Sequence, residues 1–138
     1  MLSDYKTLLV YGLTKEEIQK IALKTERVTE VTADMANTKI IDILNRVKKN
    51  VSETELPDEK VIIFNKYTDS EIQKKVKFIR NRIDNPVLAV VTPTSINWTF
   101  KDLLEHLIAE REFYKNQEGW KKWAELGKKL KKQEQVLI

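Results

Sequence analysis

The chain has 138 residues, of which 41% are hydrophobic, and this length and composition predict one domain with an ordinary core. It contains no cysteine, which excludes disulfides, thiolate zinc sites and thiol nucleophiles and is typical of a reducing compartment. Because no apolar run reaches the ~18 to 20 residues that cross a bilayer and the first residues do not have the order of a signal peptide, we expect a cytoplasmic protein.

Two continuous apolar runs have the length and branching of strands that are buried on both faces of a sheet. They extend from Leu8 to Tyr11 and from Val61 to Phe64. Each run is followed by a capping box, opened by Thr14 in the first case and by Thr68, 54 residues later, in the second. Apolar residues then recur at helical spacing, so the two segments are predicted to begin alike, each with a strand and a helix.

The similarity between the halves resumes further on at an offset of 60, which predicts six extra residues in the second half, around residues 81–86. The closing helix is expected to be capped by Asn37 in the first half and by Thr99 in the second. Its apolar face in the first half comprises Ile40, Ile43, Leu44 and Val47. The chain is therefore predicted to contain a β-α-β-α unit twice, over residues 1–50 and 60–114, through internal duplication.

The second strand, residues 28–31, alternates and carries a charge, which predicts an edge position. Right-handed crossovers then favour an α/β fold with one mostly parallel four-stranded sheet in the order 2-1-3-4, flanked by helices. In such a sheet the first and third strands would end side by side, at a switch point where ligands usually bind. The ligand-binding candidates at this crevice are Gly12, Thr14, Asn65, Lys66 and Thr68, of which the two threonines are caps first.

Three stretches of the second half have distinctive sequences: the apolar run of residues 61–64, the capping segment of residues 67–72, and residues 89–104. The last of these contains residues 92–99, with the sequence Thr-Pro-Thr-Ser-Ile-Asn-Trp-Thr. On these residues, the segment from about Val61 to Glu112 resembles a bacterial family known as a domain of unknown function, number 3783. The family implies no reaction or ligand, but the resemblance draws attention to this loop. The loop either contributes to a small-ligand site beside a helix N-terminus or only caps and staples that helix. Its ligand-binding candidates are Thr92, Thr94, Ser95, Asn97 and Trp98.

Familiar catalytic patterns are not found in the sequence. With only three glycines, neither a dinucleotide fingerprint nor a phosphate loop can be written. The single histidine, His106, falls away from the apolar face of its helix, so we expect it to be exposed. The carboxylates are expected to be caps and surface charges, and no metal or cofactor is predicted.

The last 25 residues contain seven lysines and three glutamates and thus carry the whole net charge of +4. Residues 115–138 are predicted to form a basic amphipathic helix, which either packs its tryptophans on the domain or binds a polyanion. The polyanion-binding candidates are Lys121, Lys122, Lys128, Lys129, Lys131 and Lys132.

Three functions are therefore considered. The first is a non-catalytic binding or regulatory module that contacts a protein or a small ligand through the loops at the carboxyl ends of the strands. The alternative is a nucleic-acid-associated protein that uses the lysine-rich C-terminal helix, and the third is a small enzyme of unassigned reaction.

Overall fold

The computed structural model describes residues 2–47 and 54–116, which contain four strands and four α-helices. The strands are β1 (Thr7–Tyr11), β2 (Arg27–Val31), β3 (Val61–Asn65) and β4 (Val87–Val90). The helices are α1 (Lys15–Ile21), α2 (Ile40–Leu44), α3 (Asp69–Arg80) and α4 (Phe100–Asn116). Short 3-10 turns lie at Leu2–Asp4, Ala33–Met35 and Ser95–Asn97. None of the helices in the described part of the chain is long and apolar enough to cross a membrane.

The four strands form one sheet in the order β2-β1-β3-β4, which confirms the predicted order and the edge position of β2. The β1–β2 and β3–β4 pairs are parallel, so the sheet is mostly parallel, but β1 and β3 are antiparallel. The expectation that the loops after β1 and β3 lie at the same end of the sheet is therefore wrong. Helix α2 lies beside the 3-10 turn at Leu2–Asp4, near the start of β1. Strand β3 begins at the other end of the sheet, where Val61 pairs with Tyr11, the last residue of β1.

Helices cover both faces of the sheet. Because side chains alternate along a strand, Leu9 and Ile63 face α2 and α4, whereas Leu8 and Ile62 face α1 and α3. Each face has its own cluster of buried apolar side chains, as expected for central strands that lack an exposed face.

Contacts between the two halves come in matched pairs. At the sheet centre Leu9 lies opposite Ile63, and an isolated bridge joins Lys39 to Thr99. Around that bridge the backbone N–H of residue 40 donates to the carbonyl of residue 98 (2.9 Å), and the N–H of residue 100 donates to the carbonyl of residue 38 (3.0 Å). Two ion pairs between the halves, Lys60–Glu17 and Lys6–Glu71, also correspond to each other. In each pair a lysine of one half contacts a glutamate of the other, and the corresponding residues are 54 positions apart.

The first half has much shorter helices than the second. Helices α1 and α2 have 7 and 5 residues, against 12 in α3 and 17 in α4. The extra residues expected around positions 81–86 therefore lie largely in the last turns of α3. As a consequence β2 is mostly half-buried, whereas most of β4 is buried.

Helix α2 also begins and ends differently from the prediction. Its N-cap residue is Lys39, which makes no side-chain capping bond, while the amide of Asn37 donates to the Thr54 hydroxyl (3.4 Å). Asn37 is thus not the cap. The helix ends at Leu44, and Val47, expected on its buried face, is 37% exposed.

Candidate functional site

The five candidates at the expected crevice do not come together. Because β1 and β3 are antiparallel, Gly12 and Thr14 follow β1 at one end of the sheet, whereas Asn65, Lys66 and Thr68 follow β3 at the other end. The switch-point crevice that would have joined them is not formed in this sheet.

Three of these residues make hydrogen bonds that stabilise the fold. The hydroxyls of Thr14 and Thr68 accept from the backbone N–H of Glu17 (3.1 Å) and Glu71 (3.2 Å), so both predicted capping boxes are confirmed. The amide of Asn65 is buried and donates to the carbonyls of residues 3 and 5 (both 3.0 Å).

Gly12 and Lys66 occupy the same position in the two strand-to-helix turns, and both have left-handed backbones, with φ of 76° and 64°. A Cβ on Gly12 would lie 2.0 Å from the carbonyl oxygen of Glu59, so glycine is needed there. Lys66 is exposed. These contacts position the backbone, and a ligand role for the five residues remains a prediction.

The loop of residues 92–99 is bonded mainly to itself. The hydroxyls of Thr92 and Ser95 each accept from the other residue's backbone N–H (both 2.9 Å). Trp98 packs against the apolar cluster below α4 and edge-on to His106 (5.2 Å between ring centroids). Thr99 caps α4 by accepting from the N–H of Asp102 (3.2 Å), as predicted. A ligand role for the candidates in this loop remains a prediction, and the side chains of Thr94 and Asn97 are exposed.

Other predictions concern charged residues. His106 is exposed, as expected, and lies 3.1 Å from Glu110 on the same helix. The six lysines proposed for polyanion binding, with Trp120 and Trp123, lie outside the described residues. Within the described ranges, no group of three or more histidine and carboxylate side chains could hold a metal ion.

A cavity lies beside the edge strand β2, under the short helix α2, with a volume of about 350 Å³. We call it the β2 cavity; its walls include Thr29, Met35, Thr38, Ile43 and Val47, together with the charged residues Glu30, Asp34 and Arg46. These three charged residues are exposed. It exists because α2 ends early. In the second half α4 continues over β4 and buries Leu107 at the position that corresponds to Val47.

The floor of the β2 cavity carries a polar atom without a partner. In the first half Thr29 of β2 lies opposite Leu9, and in the second half Ala89 of β4 lies opposite Ile63. Thr29 therefore occupies the position in β2 that alanine occupies in β4. Its hydroxyl oxygen is buried and has no hydrogen-bond partner among the described residues. Buried hydroxyls are normally hydrogen-bonded, so the unpaired Thr29 hydroxyl marks this part of the cavity wall as one that lacks a polar partner.

A second, polar depression adjoins the first at Arg46. We call it the basic cleft; it is lined by Tyr5, Lys6, Thr25, Glu26, Arg27, Arg46 and Tyr67, with a volume of about 550 Å³. It lies where β1 and β2 begin and β3 ends. Arg46 lines both spaces and has a left-handed backbone, with φ of 58°.

The anionic residue of the basic cleft is already neutralised. The buried ammonium of Lys75 lies 2.5 Å from the carboxylate of Glu26 and also donates to the carbonyl of Ile21. Burial alone would raise the pKa of Glu26, but hydrogen bonds from Lys75, the Leu23 N–H and the Tyr67 hydroxyl together lower it. Burial and the contact with Glu26 raise the pKa of Tyr67, so its hydroxyl stays protonated and donates.

The sequence pattern predicted neither the β2 cavity nor the basic cleft. The β2 cavity depends on where α2 ends, and the pattern placed Val47 on the helix. A usable signal was the sequence after Val47, where residues 48–50 are all polar, whereas the second half continues after Leu107 with Ile108 and Ala109. The basic cleft combines residues from the chain start, β2 and the turn after β3, which no local motif connects.

The fold and the site define a class of protein: an α/β protein of two β-α-β-α units whose first unit leaves an open cavity at the sheet edge. Residues 60–114, which run from the start of β3 almost to the end of α4, match the family model described as Domain of unknown function (DUF3783). This match confirms the resemblance predicted from the sequence of the second half. The comparisons with curated proteins and with solved structures give no match.

Proposed function

We propose that the protein is a small-molecule-binding module whose ligand occupies the β2 cavity. The observation that carries the proposal is the unpartnered, buried Thr29 hydroxyl in the floor of a largely apolar space. Small-molecule sites are typically concave and apolar, with a few polar groups that fix the orientation of the ligand. This remains within the first function considered, a binding module, but moves the site from the strand ends to the sheet edge.

A comparison of the two halves supports a ligand site beside β2. We infer that the halves are copies of one unit, because their elements follow the same order and their mutual contacts come in the matched pairs described above. The second copy covers its outer strand with long helices, whereas the helices described in the first copy are short and leave β2 mostly half-buried. In an experimental structure, residues 7–44 and 61–104 should therefore superpose after a two-fold rotation.

An uncharged fluorescent probe tests the proposal. N-phenyl-1-naphthylamine brightens in apolar surroundings and should bind the native protein at one site. Val47→Trp should reduce this binding several-fold, because Val47 lies on the cavity wall and an indole there occupies the space. Phe113→Trp is the matched control, since Phe113 is 58% exposed on α4 and does not line the cavity. No saturable binding, or equal binding by Val47→Trp and the native protein, would contradict the proposal.

A further inference from the structure

The basic cleft bears a positive charge that its own residues do not neutralise. Three of its side chains are cationic, and one of them, Lys6, is paired with Glu71 outside the cleft. Glu26 is the one carboxylate among the lining residues, and it is paired with Lys75. Arg27 and Arg46 make no ion pair with a carboxylate anywhere in the described part of the chain.

The two unpaired arginines are placed where a ligand could reach them. The Arg27 guanidinium lies 5.3 Å from the ring centre of Tyr5, a contact that holds it without removing its charge. Arg46 is exposed and follows the end of α2 in the left-handed region, a position where glycine is usual. Arg46 lines both the cavity and the cleft. A single ligand can therefore place its apolar part in the cavity and an anionic group beside Arg46.

We propose that the ligand is an amphipathic acid, with its apolar body in the β2 cavity and its carboxylate at the mouth of the basic cleft beside Arg46 and Arg27. This inference rests on the proposed function and specifies the ligand class. The planar guanidinium group is suited to a carboxylate because it offers two parallel N–H donors. The volume of about 350 Å³ admits on the order of a dozen non-hydrogen atoms, at roughly the 30 Å³ that one water occupies in the liquid. A medium-length acyl or aryl acid fits this size.

Matched acids and alcohols test the inference. The binding of octanoate, decanoate, octanol and decanol to the full chain is measured by displacement of N-phenyl-1-naphthylamine, below the micelle concentrations. We expect Arg46→Gln to weaken binding of both acids by roughly three- to tenfold, the range for losing a charge-assisted contact at a partly exposed site. Binding of the alcohols should not change, and Arg27→Gln should act in the same direction on the acids.

Arg80→Gln is the matched control, because it removes the same charge from an exposed position at the end of α3 and should leave all four affinities unchanged. High salt should reduce the difference between acid and alcohol through screening. Equal affinity of the native protein for acids and alcohols would overturn the inference, and so would an equal loss of both classes in Arg46→Gln. In those two cases the proposed function stands, whereas the absence of saturable probe binding, which would leave nothing to displace, would overturn both.

Discussion

Replacing Gly12 with alanine should be among the most damaging single changes in this protein. The backbone of Gly12 has φ of 76°, which costs an L-residue about 1 to 2 kcal/mol. The new Cβ would also lie 2.0 Å from the carbonyl oxygen of Glu59, so the segment before β3 must shift. That segment is held by the two hydrogen bonds between Arg111 and Glu59 (2.8 and 2.7 Å) and by the bond from the Tyr11 hydroxyl to the carbonyl of Pro57 (3.0 Å).

Overpacking of this kind typically costs about 1 to 3 kcal/mol, so the total for Gly12→Ala is about 2 to 5 kcal/mol. Urea unfolding followed by circular dichroism measures it as a lower midpoint at unchanged slope. Lys66→Ala is the matched control, because Lys66 already accepts φ of 64° and is exposed, so we expect a change below about 0.5 kcal/mol. A loss below about 1 kcal/mol for Gly12→Ala would refute the view that the Glu59 carbonyl excludes a side chain there.

Four further predictions concern the interior and the cavity. Thr29→Val should raise the free energy of unfolding by about 1 kcal/mol in urea melts, because a buried hydroxyl without a partner is costly; no gain would indicate that the hydroxyl is satisfied. Lys75→Met should lower it by about 3 to 5 kcal/mol, since Glu26 would stay buried without its cation. Because the pKa of Glu26 is lower in the folded than in the unfolded chain, its contribution is complete above the unfolded value and is lost as the pH falls through the folded one. Thermal melts from pH 6 to 3 should therefore show a loss that is smaller in Glu26→Gln, and an equal loss would contradict this reasoning. Trp98→Ala should cost about 2 to 4 kcal/mol in the same melts, and an unchanged melting temperature would exclude a packing role.

The sequence was sufficient to predict the strands, their order and three of the four helix caps, whereas the cap predicted at Asn37 is wrong. The capping boxes at Thr14 and Thr68 satisfy the backbone N–H groups within their own first turns. The apolar runs of β1 and β3 must be covered on both faces, which makes them central. The crossover rule then relates β2 to β1 and β4 to β3.

The direction of β3 relative to β1 could not be predicted in the same way. The crossover rule applies within each β-α-β unit and says nothing about two units joined by a long connection. Residues 45–60 are enough to lead the chain to either end of the sheet, and the apolar pattern of Val61 to Phe64 is satisfied in both directions. Because β3 runs opposite to β1, the loop that follows β3 lies at the other end of the sheet. Gly12 and Asn65 are therefore far apart, and the expected crevice between them is not formed.

The buried pair Lys75–Glu26 shows what the proposed duplication makes possible. Lys75 lies 54 residues after Ile21, and its ammonium contacts the carbonyl of Ile21, so the two corresponding positions meet where the halves face each other. In an assembly of two identical copies, a lysine at this position would face another lysine, and two like charges would be buried together. Within one chain the two positions can differ, so a lysine in one half is paired with Glu26 of the other. The same freedom lets the first half shorten its helices and open the β2 cavity while the second half keeps its strand covered. A single ligand site on one edge, rather than two equivalent sites, is therefore the expected result for a fused and diverged pair.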